Sequence, residues 1–143
     1  MMDDLLSGGA LPVLQRLVQF TEARQRVLVD DIANVSTPYF KPRDLSTASF
    51  QATLRQAIDR RRQSANPAGP LDVQDTRELR FGKNGIETSP NRDNQGILFH
   101  DQNNRDLERL MQHLAENTMA HRTGLELLRS EIAVINVAIR ERL

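Results

Sequence analysis

With 143 residues the chain has room for a single domain, but 38% hydrophobic content, 4% aromatics and no tryptophan leave material for a thin core only. Nineteen basic side chains balance nineteen acidic ones, so no global field draws the protein to nucleic acid or to an anionic membrane. The absence of cysteine excludes disulfides, thiolate nucleophiles and Cys-ligated metal sites.

At the N-terminus, "MMDDLLSGG" carries two aspartates where a cleavable signal peptide would carry positive charge. No apolar run reaches the length of a membrane span, so no direct membrane insertion is expected, and any export takes another route. From Leu11 a heptad stripe begins: Leu11, Leu14, Val18, Thr21, Gln25, Leu28, Ile32 and Val35 alternate steps of three and four, with polar residues in the middle. This predicts a long helix over roughly 11–35, with Pro12 in its first turn. Pro38 forbids its continuation, and Thr37, preceding a proline, is pushed toward extended geometry. The stretch "DDIANVSTPYFKPRD" therefore turns sharply, and Pro42 stiffens the exit. Because tyrosine is poorly tolerated at positive φ, a type I or open turn is expected at Pro38 and Tyr39.

Phe50, Leu54 and Ile58 recur at four-residue spacing behind a Ser46 or Thr47 cap, predicting a short amphipathic helix that ends before the linker "SANPAGP". Beyond it, weak alternation around Leu79 to Phe81, a turn signal at Asn84 and Gly85, and the apolar patch Ile97 to Phe99 suit a small hairpin or an extended loop equally. The C-terminal stretch repeats the heptad rule through Leu107, Met111, Leu114, Thr118, His121, Leu125, Leu128, Ile132, Ile135 and Ile139. Asn103 or Asn104 suits its N-cap, with Asp106 and Glu108 in the first turn where the helix dipole favours negative charge.

These elements predict an all-α fold: two long terminal helices packed as an antiparallel, coiled-coil-like pair, with a short helix and a largely extended or hairpin middle. Three segments are expected, 1–45, 46–100 and 101–143, the first and last pairing as one discontinuous domain. Each apolar stripe is narrow, so it pairs within the chain or is completed by neighbouring copies.

No constellation carries chemistry. His113 and His121 lie two helical turns apart instead of the one-turn spacing of a helical metal pair, and His100 precedes the helix, so no metal site is expected and His121 is read as tuning the seam. "GKNG" at 82–85 matches neither a P-loop nor a dinucleotide fingerprint and reads as a turn. Arg60, Arg61 and Arg62 read as a solvated face, and the sequon Asn34-Val35-Ser36 as part of a helix end. No nucleophile, paired carboxylate or cofactor fingerprint stands out, so neither an enzyme nor a bound cofactor is expected.

A long helix stopped by an Asn, Thr and Pro turn, a variable middle and a second long C-terminal helix resemble the axial proteins of the bacterial flagellum. The closest resemblance is to the proximal rod family FlgB. Its motif Asn-Ile-Ala-Asn-x-x-Thr-Pro-Gly-Tyr-Lys is matched in register by Ile32, Ala33, Asn34, Thr37, Pro38 and Lys41, with Phe40 in the aromatic place. Its second motif, before the C-terminal helix, is similar to Asp101, Asn103, Asn104, Asp106, Leu107 and Glu108, and its Leu-Ala-Glu-Asn to Leu114 through Asn117. The Ser-Arg-x-Tyr-x-Ala-Asn pattern of the rod relative FlgC is missing. Asp31, Ser36, Tyr39 and Gln102 depart from the family pattern.

The resemblance implies a non-enzymatic rod subunit without cofactor. It implies export through the flagellar type III apparatus without a cleaved signal peptide, and assembly in the periplasmic part of the basal body, helping to pass torque from the MS ring to the distal rod and hook. Implied partners are copies of itself, other rod proteins, the MS-ring protein and its small export-linked adaptor, and the export apparatus; nucleic acid is not among them. The expected assembly interface comprises Leu11, Leu14, Val18, Leu28, Ile32, Leu107, Met111, Leu114, Leu125, Leu128, Ile132, Ile135 and Ile139. Two other readings stay open: a cytosolic coiled-coil adaptor or regulator, and another rod protein such as FlgC.

Overall fold

The computed structural model describes residues 9–66, 69–82, 85–92 and 107–140. Helix α1 spans Leu11–Ala33 with Pro12 in its first turn, where a missing N–H costs nothing because the first amides of a helix have no intrahelical partner. Asn34 caps its C-terminal end: its Nδ2 donates to the Asp30 carbonyl at 2.9 Å. Helix α2 spans Thr47–Gln63, and its first turn is capped by Ser46, whose Oγ accepts from the Ser49 N–H at 3.1 Å. Helix α3 covers Leu107–Arg140.

The expected antiparallel pairing of the terminal helices is present. Val18 and Leu17 lie against Gly124, Thr21 meets His121 and Asn117, and His113 sits near Asp44, which is bound to Arg24. Rising numbers on α1 thus meet falling numbers on α3.

The middle of the chain takes the hairpin alternative. Strands β2 (Leu79–Phe81) and β3 (Ile86–Thr88) pair antiparallel with Phe81 opposite Ile86. A second small sheet pairs β1 (Arg43–Asp44) with β4 (Asn91–Arg92). Glu78 ties the two sheets to α2: one carboxylate oxygen accepts the Ser46 N–H at 2.9 Å and the other accepts from Asn91 Nδ2.

The cluster of buried apolar side chains adjoins the two-helix seam, on the neighbouring face of α1. Phe20 of α1 stacks on Phe50 of α2, with ring centroids 4.0 Å apart and planes 1° from parallel. Leu45, Leu54, Ala57, Val73 and Leu79 close around that pair. Each such aromatic contributes about 2–3 kcal/mol by burial, and the stacking adds about 1. Helix α1 is therefore shared, one face packing on α3 and the other on the middle segment. Arg16 fastens the hairpin to it by donating to the Gly82 carbonyl at 3.1 Å and lying over the Phe81 ring.

Two expectations need correction. Tyr39 does adopt positive φ, at 62°. The Phe40 N–H donates to the Thr37 carbonyl at 3.2 Å, closing a four-residue turn with Pro38 second and a left-handed residue third, which is the type II pattern. Both ends of that turn are fixed, since Asn34 accepts the Thr37 N–H at 2.9 Å and Pro42 beyond it is buried, and Tyr39 must take up the difference. Nor is Arg61 on a solvated face. It is half-buried and donates from Nη2 to the Gly9 carbonyl at 2.8 Å, so it holds the chain just before α1, whereas Arg60 and Arg62 are exposed.

Candidate assembly surface

The two terminal helices meet along a line that hydrophobicity alone does not pick out. On α3 the buried residues are Leu110, Asn117 and Gly124, at heptad spacing but one position before Met111, Thr118 and Leu125 of the apolar stripe. Gly124 lets the backbones approach: a Cβ there would stand 3.2 Å from Val18 Cγ2. Asn117 donates from Nδ2 to the Thr21 carbonyl at 2.8 Å. Thr21 Oγ1 lies 2.9 Å from His121 Nδ1 and also 2.9 Å and 3.0 Å from the Leu17 and Val18 carbonyls. A hydroxyl has one proton, so when it serves the helix carbonyls, His121 must be the donor at Nδ1. This polar layer fixes the axial register, because any slip would strand buried polar groups.

Of the residues expected at the interface, Leu14 and Leu28 on α1 are buried, while Leu11, Val18 and Ile32 are half-buried. On α3, Leu114, Leu125, Leu128, Ile135 and Ile139 are half-buried and Leu107, Met111 and Ile132 are exposed. Met111 is 53% and Ile132 43% accessible. The apolar face of α3 is thus not fully covered by α1: it stays exposed at Leu107 and Met111 near the start of the helix and at Ile132 farther along, with half-buried residues between them. Further exposed apolar residues, Val134 and Val137, follow near its C-terminal end.

The turn motif after α1 is assembled as a unit. Thr37 contacts Asn34 through both its amide and its hydroxyl, and Pro38 and Lys41 are exposed. Asp101, Asn103, Asn104 and Asp106, with the expected N-cap and His100, lie outside the described residues, and Leu107 opens α3. Next to the turn, Arg24 grips Asp44 with two hydrogen bonds, Nε to Oδ1 at 2.8 Å and Nη2 to Oδ2 at 2.7 Å. Asp31 receives the Arg43 N–H at 2.7 Å. Among the described residues no group of three acidic, histidine or cysteine side chains is placed to hold a metal, and no helix is long and apolar enough to cross a membrane.

Sequence reasoning passed over Asn117 and Gly124 as packing residues because neither is apolar. The available signal was a glycine inside a long helix pattern, in heptad register with Asn117 and Leu110.

The chain is similar to the flagellar basal body rod protein FlgB of Borrelia hermsii, with 28% identity over 136 residues that take in 92% of this chain and 96% of that relative. The likeness is to FlgB. It bears out the resemblance carried by the turn motif and the C-terminal helix, and it extends across the middle segment as well. No family model matches the chain. The FlgB likeness and the exposed apolar residues of α3 concern the same long terminal helices.

Proposed function

We propose that this protein is a non-enzymatic structural subunit of the bacterial flagellar rod, of the FlgB kind. The observation that carries the reading is the likeness to a FlgB protein along nearly the whole of both chains. The structure supports it in its own terms. The α1–α3 pair leaves an apolar flank at Leu107, Met111 and Ile132 open, and such a flank is covered when neighbouring copies or other rod proteins pack beside it. Contacts between unlike surfaces of successive subunits generate a helical assembly. In this reading the subunit sits in the periplasmic part of the basal body, next to the MS ring and its adaptor. It reaches that place through the flagellar export apparatus and passes torque outward by side-to-side packing of its helices.

Deletion of the gene, with complementation by a tagged copy, tests the proposal. The deletion is expected to abolish swimming and rod formation, and the tagged chain to be recovered in detergent-purified basal bodies. Normal swimming of the deletion strain, or a tagged chain confined to the soluble fraction while complementing, would overturn it.

A further inference from the structure

Where α1 ends, a buried carboxylate stands in surroundings that do not match its charge. Asp31 is 0% exposed. Its Oδ2 accepts the Arg43 N–H at 2.7 Å, while Oδ1 is buried without a hydrogen-bond partner among the described residues. That bond joins the last turn of α1 to the backbone of the strap of residues 39–45, which carries the Tyr39 turn and β1, beside the side-chain ion pairs Asp30–Arg43 and Arg24–Asp44. The charged groups around it are arranged for other duties. On its own helix, Asp30 holds the Arg43 guanidinium at 3.0 Å, and Arg24 is bound to Asp44 of β1 at 2.7 Å. On α3, Arg109 and His113 lie at the same end of the helix pair, with His113 Nδ1 3.7 Å from Asp44 Oδ2.

An ionised carboxylate excluded from water with one oxygen unsatisfied is costly, whereas the neutral acid leaves Oδ2 free to accept the amide and removes the charge. We propose that Asp31 is a proton-dependent latch: its carboxyl holds the strap closed on α1 as the neutral acid and favours opening of the strap when ionised.

Burial pushes Asp31 up from the ordinary 3.8 to about 6, against the opposing pull of the Arg43 N–H and guanidinium, with Asp30 and Asp44 adding to the rise. A closed state whose acid has the raised value binds the proton more tightly than the open state, so closure is strongest below the ordinary aspartate range. It weakens as pH rises through the window from about 4 to 6, and the loss levels off above it.

The test compares the native chain with Asp31→Asn, which keeps the acceptor but cannot ionise. The ratio of their folding equilibrium constants, native over variant, is expected to fall by roughly fifty-fold between pH 4 and pH 7, the factor implied by the two carboxyl affinities. Parallel pH profiles would overturn the latch. Two measurements on the native chain stand alone if the variant does not fold. The carbon-13 shift of the Asp31 carboxyl should titrate near pH 6, and a midpoint below about 4.5 would overturn the proposal. Amide exchange, corrected for intrinsic rate, should show Arg43 losing protection with rising pH more steeply than Leu28 in mid-helix. Equal slopes would mean that the whole fold responds and no local latch exists.

Discussion

Tyr39 shows what a single backbone position costs when its surroundings are fixed. Its φ of 62° puts a Cβ-bearing residue in the left-handed region, a cost of about 1 kcal/mol, and with 73% of its surface exposed the side chain gains little packing in return. Glycine at this position would relieve the strain and give back part of the gain through greater freedom of the unfolded chain. Tyr39→Gly is therefore expected to leave stability equal to or up to about 1 kcal/mol above the native chain. Tyr39→Val, whose branched Cβ fits the left-handed region worse, should lose about 1–2 kcal/mol. Urea unfolding at fixed pH checks both, and equal losses for the two variants would contradict the turn geometry. Beside it, Asp31 stands where the resembling family carries asparagine, so these two departures concern the joint between helix and strap.

Among the elements, those with strong local chemistry were legible in the sequence. Pro12, the Asn34 end, the Ser46 cap and the stripe of α2 placed the helices to within a few residues, because capping and periodicity are written locally. What was not legible depended on partners distant in sequence. Phe20 gave no sign that it would stack on Phe50, nor Glu78 that it would bind Ser46, and β1 is too short to announce its pairing with β4. On α3 the line of closest approach lies one position from the apolar stripe for a related reason, while on α1 the stripe residues Leu14, Thr21 and Leu28 are buried as expected. Choosing the most apolar heptad selects what avoids water, while helix approach is decided by what is small, here Gly124. Gly124→Leu should accordingly cost about 1–3 kcal/mol by forcing the side chain into Val18 and Leu17, against about 1 kcal/mol gained from leaving glycine behind in a helix. Thermal unfolding together with the distance between labels on α1 and α3 would show it, and an unshifted melt with unchanged spacing would contradict the close approach. Asn117→Ala, which removes the bond to the Thr21 carbonyl and leaves a small cavity, should lose about 1–2 kcal/mol.

In the whole molecule α1 is enclosed between two partners, while α3 rests on α1 along one line and keeps an apolar flank partly exposed. Met111 and Ile132 lie on that flank, so a charge placed on either meets water in the isolated subunit and costs at most about 0.5 kcal/mol there. In a rod built on that flank the same charge would have to be buried unpaired, at a cost of several kcal/mol per contact repeated at every copy. Met111→Glu is therefore expected to leave the melting of the purified subunit unchanged while abolishing rod assembly and swimming, with Ile132→Glu behaving alike. Arg62→Glu on the exposed side of α2 is the control and should swim. The separation matters because a variant that merely unfolds the subunit also stops swimming. Normal circular dichroism and melting with lost motility would identify the flank as an assembly surface, whereas normal motility of both flank variants would show that subunits pack through another face.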